Sequence, residues 1–292
     1  MKKITESRNP LSDNLDIQSI SDILSIINSE DQVIPKIIAD YLCQIEIIIE
    51  HVINSFNNKG RLYYVGCGTS GRLGVLDASE CPPTFKVDKT LVQGIIAGGD
   101  IALRESVENA EDSYEDGYNV IKSYKITNND TVIGISASGS AKFVLGSLKS
   151  AKERGAYTSL ITFNKIPSLD FVDNILSIII GPEIISGSTR MKAGTATKMI
   201  LNMISTISLV KSHKVYKNYM VDLNITNEKL KNRAINIIKD ICHTSAEKAS
   251  IYLHNSDSNV KVAIVMYKLN LSKEESLLML EKNKGNLRKI IE

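Results

Sequence analysis

Leu62-Tyr63-Tyr64-Val65 is a short apolar run that stops at Gly66 and passes into Cys67-Gly68-Thr69-Ser70-Gly71, and the segment 70–79 beyond it can be helical. A buried strand closed by a glycine turn and followed by a helix opens a βαβ unit. The pattern recurs, because residues 91–96, 131–135, 158–163 and 175–180 are further strand candidates. Helical stretches at about 102–123, 142–154 and 192–211 alternate with them. Such alternation predicts an α/β chain with a mostly parallel sheet covered on both faces. Ligands of such sheets bind beyond the carboxyl ends of the strands, near the point where strand order reverses.

Helical segments flank this region. Ile20, Ile23, Leu24, Ile26 and Ile27 recur at helical spacing, and a second run, 35–56, opens at Pro35, which suits a first helical turn. From Asn224 onward no strand is predicted. Thr244-Ser245-Ala246-Glu247 and Ser272-Lys273-Glu274-Glu275 have capping-box spacing, so the chain is expected to end in a small helical region.

Composition narrows the function. Lys plus Arg is 35 against 33 for Asp plus Glu, aromatics are 5%, and there is no Trp. Neither a basic stripe nor a base-stacking platform is present, so nucleic acid is not an expected partner. Cys43, Cys67, Cys81 and Cys242 are scattered, and His51, His213, His243 and His254 form no ligand pattern, so neither a disulfide framework nor a metal is expected. The start, Met1-Lys2-Lys3-Ile4-Thr5-Glu6, has no signal-peptide core, and no apolar stretch is long enough to span a membrane. A soluble cytoplasmic protein without a cofactor is expected.

Two loops stand at strand ends. Gly66-Cys67-Gly68-Thr69-Ser70-Gly71 lacks the dinucleotide fingerprint and the Walker Gly-Lys-Ser/Thr. Its hydroxyls, with backbone N–H groups at a helix start, suit a single phosphate; a plain strand-to-helix turn explains the glycines as well. Ser136-Ala137-Ser138-Gly139-Ser140 occupies the equivalent place after the third strand, and together the two loops read as a cradle for a small phosphorylated ligand. A third segment, Ser186-Gly187-Ser188-Thr189-Arg190-Met191-Lys192-Ala193-Gly194-Thr195, offers hydroxyls, two cations and a helix start; it could hold a sugar or an anion, or be an ordinary cap.

Two acidic features follow. Pro82-Pro83 is expected to end a helix near Glu80. A carboxylate there faces the negative end of the helix dipole, which suits a general acid, although a surface acid is the alternative. Glu105, Glu108, Glu111, Asp112, Glu115 and Asp116 form an acidic run that reads as a solvated helix face, and residue chemistry alone does not select one member.

The stretch from Gly68-Thr69-Ser70-Gly71-Arg72 through Asp77-Ala78-Ser79-Glu80-Cys81-Pro82-Pro83-Thr84-Phe85 resembles the signature of the N-acetylmuramic acid 6-phosphate etherase family. So do Ile96-Ala97-Gly98-Gly99, Glu108-Asn109-Ala110-Glu111-Asp112-Ser113 and Gly187-Ser188-Thr189-Arg190-Met191-Lys192-Ala193-Gly194-Thr195. The likeness runs from Thr5-Glu6-Ser7-Arg8-Asn9 to Asn227-Glu228-Lys229-Leu230, nearly the whole chain.

The resemblance implies a sugar isomerase (SIS) domain with a flavodoxin-like, five-stranded sheet, acting as a metal-free cytoplasmic homodimer. It implies a lyase that releases D-lactate from C3 of N-acetylmuramic acid 6-phosphate by elimination and then hydration, in peptidoglycan recycling. The family's acid glutamate falls on Glu80 and its second catalytic glutamate on Glu111. Phosphate and substrate contacts fall on Thr69, Ser70, Ser136, Ser138, Gly139 and Ser140. One departure stands out: the loop pattern S-G-x-T would put Thr at position 141, where this chain has Ala141, so a hydroxyl is either missing or supplied by Ser140.

The chain is thus expected to comprise an N-terminal helical segment (1–52), an SIS domain (53–216) and a C-terminal helical region (217–292). A phosphosugar-responsive regulator on the same fold could dispense with both glutamates, which this chain keeps; an aldose–ketose isomerase would share the first proton abstraction. An unbroken helix would separate Ser70 from Glu80 by ~15 Å, more than a hexose phosphate spans. Either the helix breaks near Gly74 or Glu80 serves the phosphate cradle of a second copy.

Overall fold

The computed structural model describes residues 3–292; Met1 and Lys2 of the charged N-terminal stretch lie outside the described residues. The apolar runs form the strands β1 (Leu62–Gly66), β2 (Val92–Ile96), β3 (Thr131–Ile135), β4 (Tyr157–Thr162) and β5 (Asn174–Ser177). They pair in the order β2-β1-β3-β4-β5, all parallel. Every residue of β1 and β3 is buried, as continuous apolar strands covered on two faces must be. The register sets Gly66 of β1 opposite Ile135 of β3. The chain leaves β1 for β2 on one side and returns to β3 on the other, so the loops after β1 and β3 emerge side by side at the switch point.

Helices α1 (Ile20–Ala39), α2 (Leu42–Asn57), α3 (Gly68–Phe85), α4 (Tyr114–Ser123), α5 (Lys142–Glu153) and α6 (Lys192–Lys211) accompany the sheet. The described chain divides into two compact units, Met1–Ser79 with Lys89–Ser208, and Glu80–Asp88 with Leu209–Glu292. In the first, Tyr63, Val65, Val132, Val144, Leu148 and Leu160 belong to one buried cluster. The second carries a two-stranded antiparallel hairpin, β6 (Val215–Tyr216) and β7 (Tyr219–Met220), which precedes Asn224 and was not among the expected strands. Its helices are α7 (Glu228–Cys242), α8 (Ala246–Asn255), α9 (Val260–Leu269), α10 (Lys273–Lys282) and α11 (Leu287–Ile291), closed over Ile238, Ala263, Ile264 and Val265.

Several local expectations are corrected. Proline neither opened nor ended helices where it was expected to. Pro35 lies inside α1, whose Ile34 and Ile38 are buried, and α2 begins only at Leu42. Pro82 and Pro83 lie inside α3, which also passes Gly74 without a break. The last turn still closes, with Lys86 N–H donating to the Pro82 carbonyl at 2.9 Å, and Ala78, Cys81 and Phe85 fall on one buried stripe. Burial of that stripe offsets the backbone hydrogen bonds the prolines remove. Glu80 is therefore exposed and interior to the helix, not at its negative end.

The stretch 102–123 is not one helix. Two 3₁₀ turns, Gly99–Leu103 and Ala110–Asp112, precede α4, and Asn109 adopts φ +58° between them. Of the two capping boxes, Ser272/Glu275 forms in full, whereas at α8 the cap is Ser245, whose hydroxyl accepts from Lys248 N–H.

Candidate active site

The switch point opens into a cavity of about 310 Å³, lined by Thr69 and Ser70 at the start of α3, Ser136, Ala137, Ser138, Ser140 and Ala141 before α5, together with Glu111 and Thr189. This is at the lower end for small-molecule sites. Close approach builds the first loop. A Cβ on Gly71 would sit 2.6 Å from Ile96 Cγ1 and 2.7 Å from the Gly66 carbonyl, so the turn admits no side chain there. In the second loop Gly139, at φ +71°, donates its N–H to Ser136 O at 2.9 Å, closing a tight turn. Gly139 does not line this cavity but the adjoining one, which also holds Ser138 and Ser140.

The serines already make contacts that aim them. Ser136 Oγ accepts from the N–H of Ala141 at 3.3 Å, the N-cap residue of α5, which has no hydroxyl of its own. Ser138 Oγ accepts from Ser140 N–H at 3.3 Å and lies 2.9 Å from Ser140 Oγ. Ser140 thus brings a hydroxyl to the loop next to Ala141, the position at which the sequence pattern lacks one.

Glu111, exposed on its 3₁₀ turn, also lines a second cavity of about 270 Å³ with Cys67, Arg72, Ala97, Ala102 and Val107. The two cavities share Cys67 and Glu111. Arg72 is held there by donating to Leu103 O at 3.3 Å and Glu105 O at 2.9 Å. Burial, then the charges of Glu111 and Asp112, push the Cys67 thiol up to about 12, which leaves it protonated and non-nucleophilic. Of the acidic run, Glu111 alone is brought to the serine cradle. Glu80 lies farther along α3, in the segment assigned to the second compact unit.

Two cavity residues, Lys3 and Glu6, were not singled out from sequence. The signal available was Thr5-Glu6-Ser7-Arg8-Asn9, matched as a motif but carrying no assigned role. Asn164 fastens this segment: its Oδ1 accepts from Ile4 N–H at 2.6 Å, and its Nδ2 donates to Thr5 Oγ1 and Ala137 O. The third loop divides its roles. Thr189 lines the cavity, but Lys192 is buried against Glu30 at 2.6 Å, and Glu183 accepts the N–H groups of Lys192 and Ala193, filling the start of α6. Neither Lys192 nor that helix start is left to hold an anion. Among the described residues no cluster of three or more His, Cys, Asp or Glu is placed to hold a metal.

A parallel five-stranded sheet with hydroxyl-lined loops at its switch point defines an SIS-type fold. The glucokinase regulatory protein N-terminal SIS domain family matches residues 44–152, and the C-terminal lid domain of glucokinase regulatory protein matches residues 217–273. An E. coli CFT073 protein, c3406, solved as a ligand complex, shares the fold at 18% identity and a TM-score of 0.50, over 69% of this chain and 97% of that one. The chain is 47% identical to the N-acetylmuramic acid 6-phosphate etherase of a Geobacillus species over 99% of its own length and 98% of the relative's. It is 46% identical to that of Trichodesmium erythraeum, over 98% of this chain and 93% of the relative's. It belongs to the N-acetylmuramic acid 6-phosphate etherase family.

Proposed function

We propose that this chain cleaves the lactyl ether of N-acetylmuramic acid 6-phosphate, giving N-acetylglucosamine 6-phosphate and D-lactate, in the recycling of cell-wall amino sugars. The observation that carries the reading is one cavity lined by Ser70, Ser136, Ser138 and Ser140 together with Glu111, in a chain of the etherase family.

Ring opening exposes an aldehyde at C1, which acidifies the C2 proton. Glu111 takes that proton, and the electrons expel lactate from C3. Glu80 protonates the leaving oxygen and afterwards serves as base toward the water that adds to the unsaturated aldehyde. The serine hydroxyls and the N–H groups at the starts of α3 and α5 hold the phosphate. Two carboxyl groups, one acting as base and one as acid, suit the two proton transfers. This division of labour agrees with the exposure of Glu111 at the serine cradle.

The N-terminal helical segment, SIS domain and C-terminal helical region are read as spanning 1–52, 53–216 and 217–292. The enzyme is read as a cytoplasmic homodimer with no nucleic-acid partner. Among the described residues no helix is long and apolar enough to cross a membrane, and no disulfide joins the four cysteines. The direct test is incubation with N-acetylmuramic acid 6-phosphate and assay of free D-lactate. An isomerase would convert a sugar phosphate without releasing lactate, and a regulator would bind without turnover.

A further inference from the structure

Among the described residues lining the serine cavity there are two carboxylates, Glu6 and Glu111, and one cation, Lys3. A phosphate entering there meets hydroxyls and two helix starts but a side-chain charge balance that is negative even with Lys3 counted. Lys3 Nζ donates to Ser140 Oγ at 2.5 Å. An ammonium has donors only, so Ser140 Oγ accepts from Lys3 and keeps its own proton to donate, with Ser138 Oγ 2.9 Å away. Ser138 Oγ also accepts Ser140 N–H. When Ser140 gives its proton to Ser138 Oγ, both Ser138 lone pairs are engaged and its hydroxyl donates outward.

Lys3 is not a loose end. Asn164 clamps the next two residues through Ile4 N–H and Thr5 Oγ1, and the same side chain donates to Ala137 O within the phosphate loop. Gly187 N–H donates to Thr5 O at 3.1 Å, and Thr5 is 1% exposed. The N-terminal segment is thereby fastened to the loop that Lys3 touches.

We propose that Lys3 is a substrate-binding residue: it supplies the counter-charge for the sugar phosphate and, through Ser140, orients the Ser138 hydroxyl as a donor to it. The proposal rests on the etherase reading for the identity of the sugar, but not for the binding of a phosphosugar. The full-length chain is compared with Lys3→Met and Lys3→Arg. Calorimetry reads binding of N-acetylglucosamine 6-phosphate and of N-acetylglucosamine, and D-lactate release gives kcat and KM.

Lys3→Met is expected to weaken phosphosugar binding and raise KM by ~10-fold or more, as loss of a charged hydrogen bond does, with kcat changed far less. Lys3→Arg should restore most of the affinity, and N-acetylglucosamine binding should be alike in all three. Phosphosugar affinity unchanged in Lys3→Met, an Arg variant as weak as Met, or equal losses for both sugars would each overturn the proposal. Wild type that binds the phosphosugar through Lys3 yet releases no lactate would overturn the etherase reading alone. Lactate release with Lys3→Met binding as tightly as wild type would overturn the Lys3 assignment alone.

Discussion

Cys67 and Glu111 stand together on the wall between two cavities, and the Glu111 charge adds to burial in keeping the Cys67 thiol protonated, at about 12. The thiolate is the reactive form, so a cysteine lining the site is chemically silent. At pH 8, iodoacetamide is expected to modify exposed Cys43 and leave Cys67 untouched. Peptide mass spectrometry reads both, and labelling of Cys67 as fast as Cys43 would contradict the electrostatics.

Glu183, 1% exposed, accepts from Lys192 and Ala193 N–H at 2.9 Å each, in the role usually taken by a cap residue. Glu183→Ala is expected to cost ~2 kcal/mol, the upper end for lost caps, because two buried N–H groups lose their acceptor. A denaturation midpoint within error of wild type would show that water replaces the carboxylate.

Asp77 is buried beneath Asn202 and Ser205, which donate to its Oδ1 at 2.6 and 3.1 Å, and burial raises its pKa above the ordinary 3.8. A raised folded pKa favours the protonated form, so the contribution of this group to stability is full below 3.8 and is lost as pH rises through the folded value. Asp77→Asn does not titrate. Relative to that variant, wild type should be most stable at the acidic end and lose ground as pH rises toward 7. Melting temperatures of the two proteins across that range check the sign, and a constant gap would refute it.

How much of this was legible depends on the physics each residue obeys. Strands β1 and β3 were readable because apolar runs buried along their whole length have nowhere else to go, and β2, β4 and β5 because short apolar runs alternate with helical stretches. The serine loops were readable because two strand ends carrying hydroxyls beside glycine are harder to explain as plain turns than one. Proline misled: its local cost at Pro35, Pro82 and Pro83 was outweighed by burial of stripes such as Ile34 and Ile38, which a local rule does not weigh. By residue chemistry alone Glu111 was indistinguishable from its acidic neighbours, and only the family resemblance selected it; the turn at Asn109 carries it to the cavity. Lys3 carried no signal of its own, because its placement depends on Asn164, far away in sequence.

If Glu80 is the proton donor and Glu111 the C2 base, their amide variants should fail differently. Glu80→Gln is expected to lower lactate release by ~10²–10⁴-fold while leaving C2 proton exchange with solvent measurable, since exchange needs only a base and an aldehyde. Glu111→Gln should abolish both. Proton exchange in deuterated water, followed by NMR beside a lactate assay, separates them. Equal loss of exchange in the two variants would remove the assignment.

Ser70 and Glu80 lie on one unbroken helix, Gly68–Phe85, so ten residues of α-helix separate them by ~15 Å along the axis. The break at Gly74 that would have brought them together is absent. One hexose phosphate anchored at Ser70 does not reach so far. The expectation is that Glu80 acts on the sugar held by the phosphate cradle of a second copy. In a two-fold dimer each surface occurs twice, so two shared sites would form at once. Complementation tests this. Glu80→Gln chains are mixed with chains carrying Ser70→Ala and Ser138→Ala, each inactive alone, under conditions that let subunits exchange. A mixed dimer then holds one cradle with both serines facing one intact Glu80, and lactate release should return in proportion to the mixed dimers formed. Mixed dimers demonstrated by mass spectrometry without any return of activity would mean that each chain carries its own acid and its own cradle.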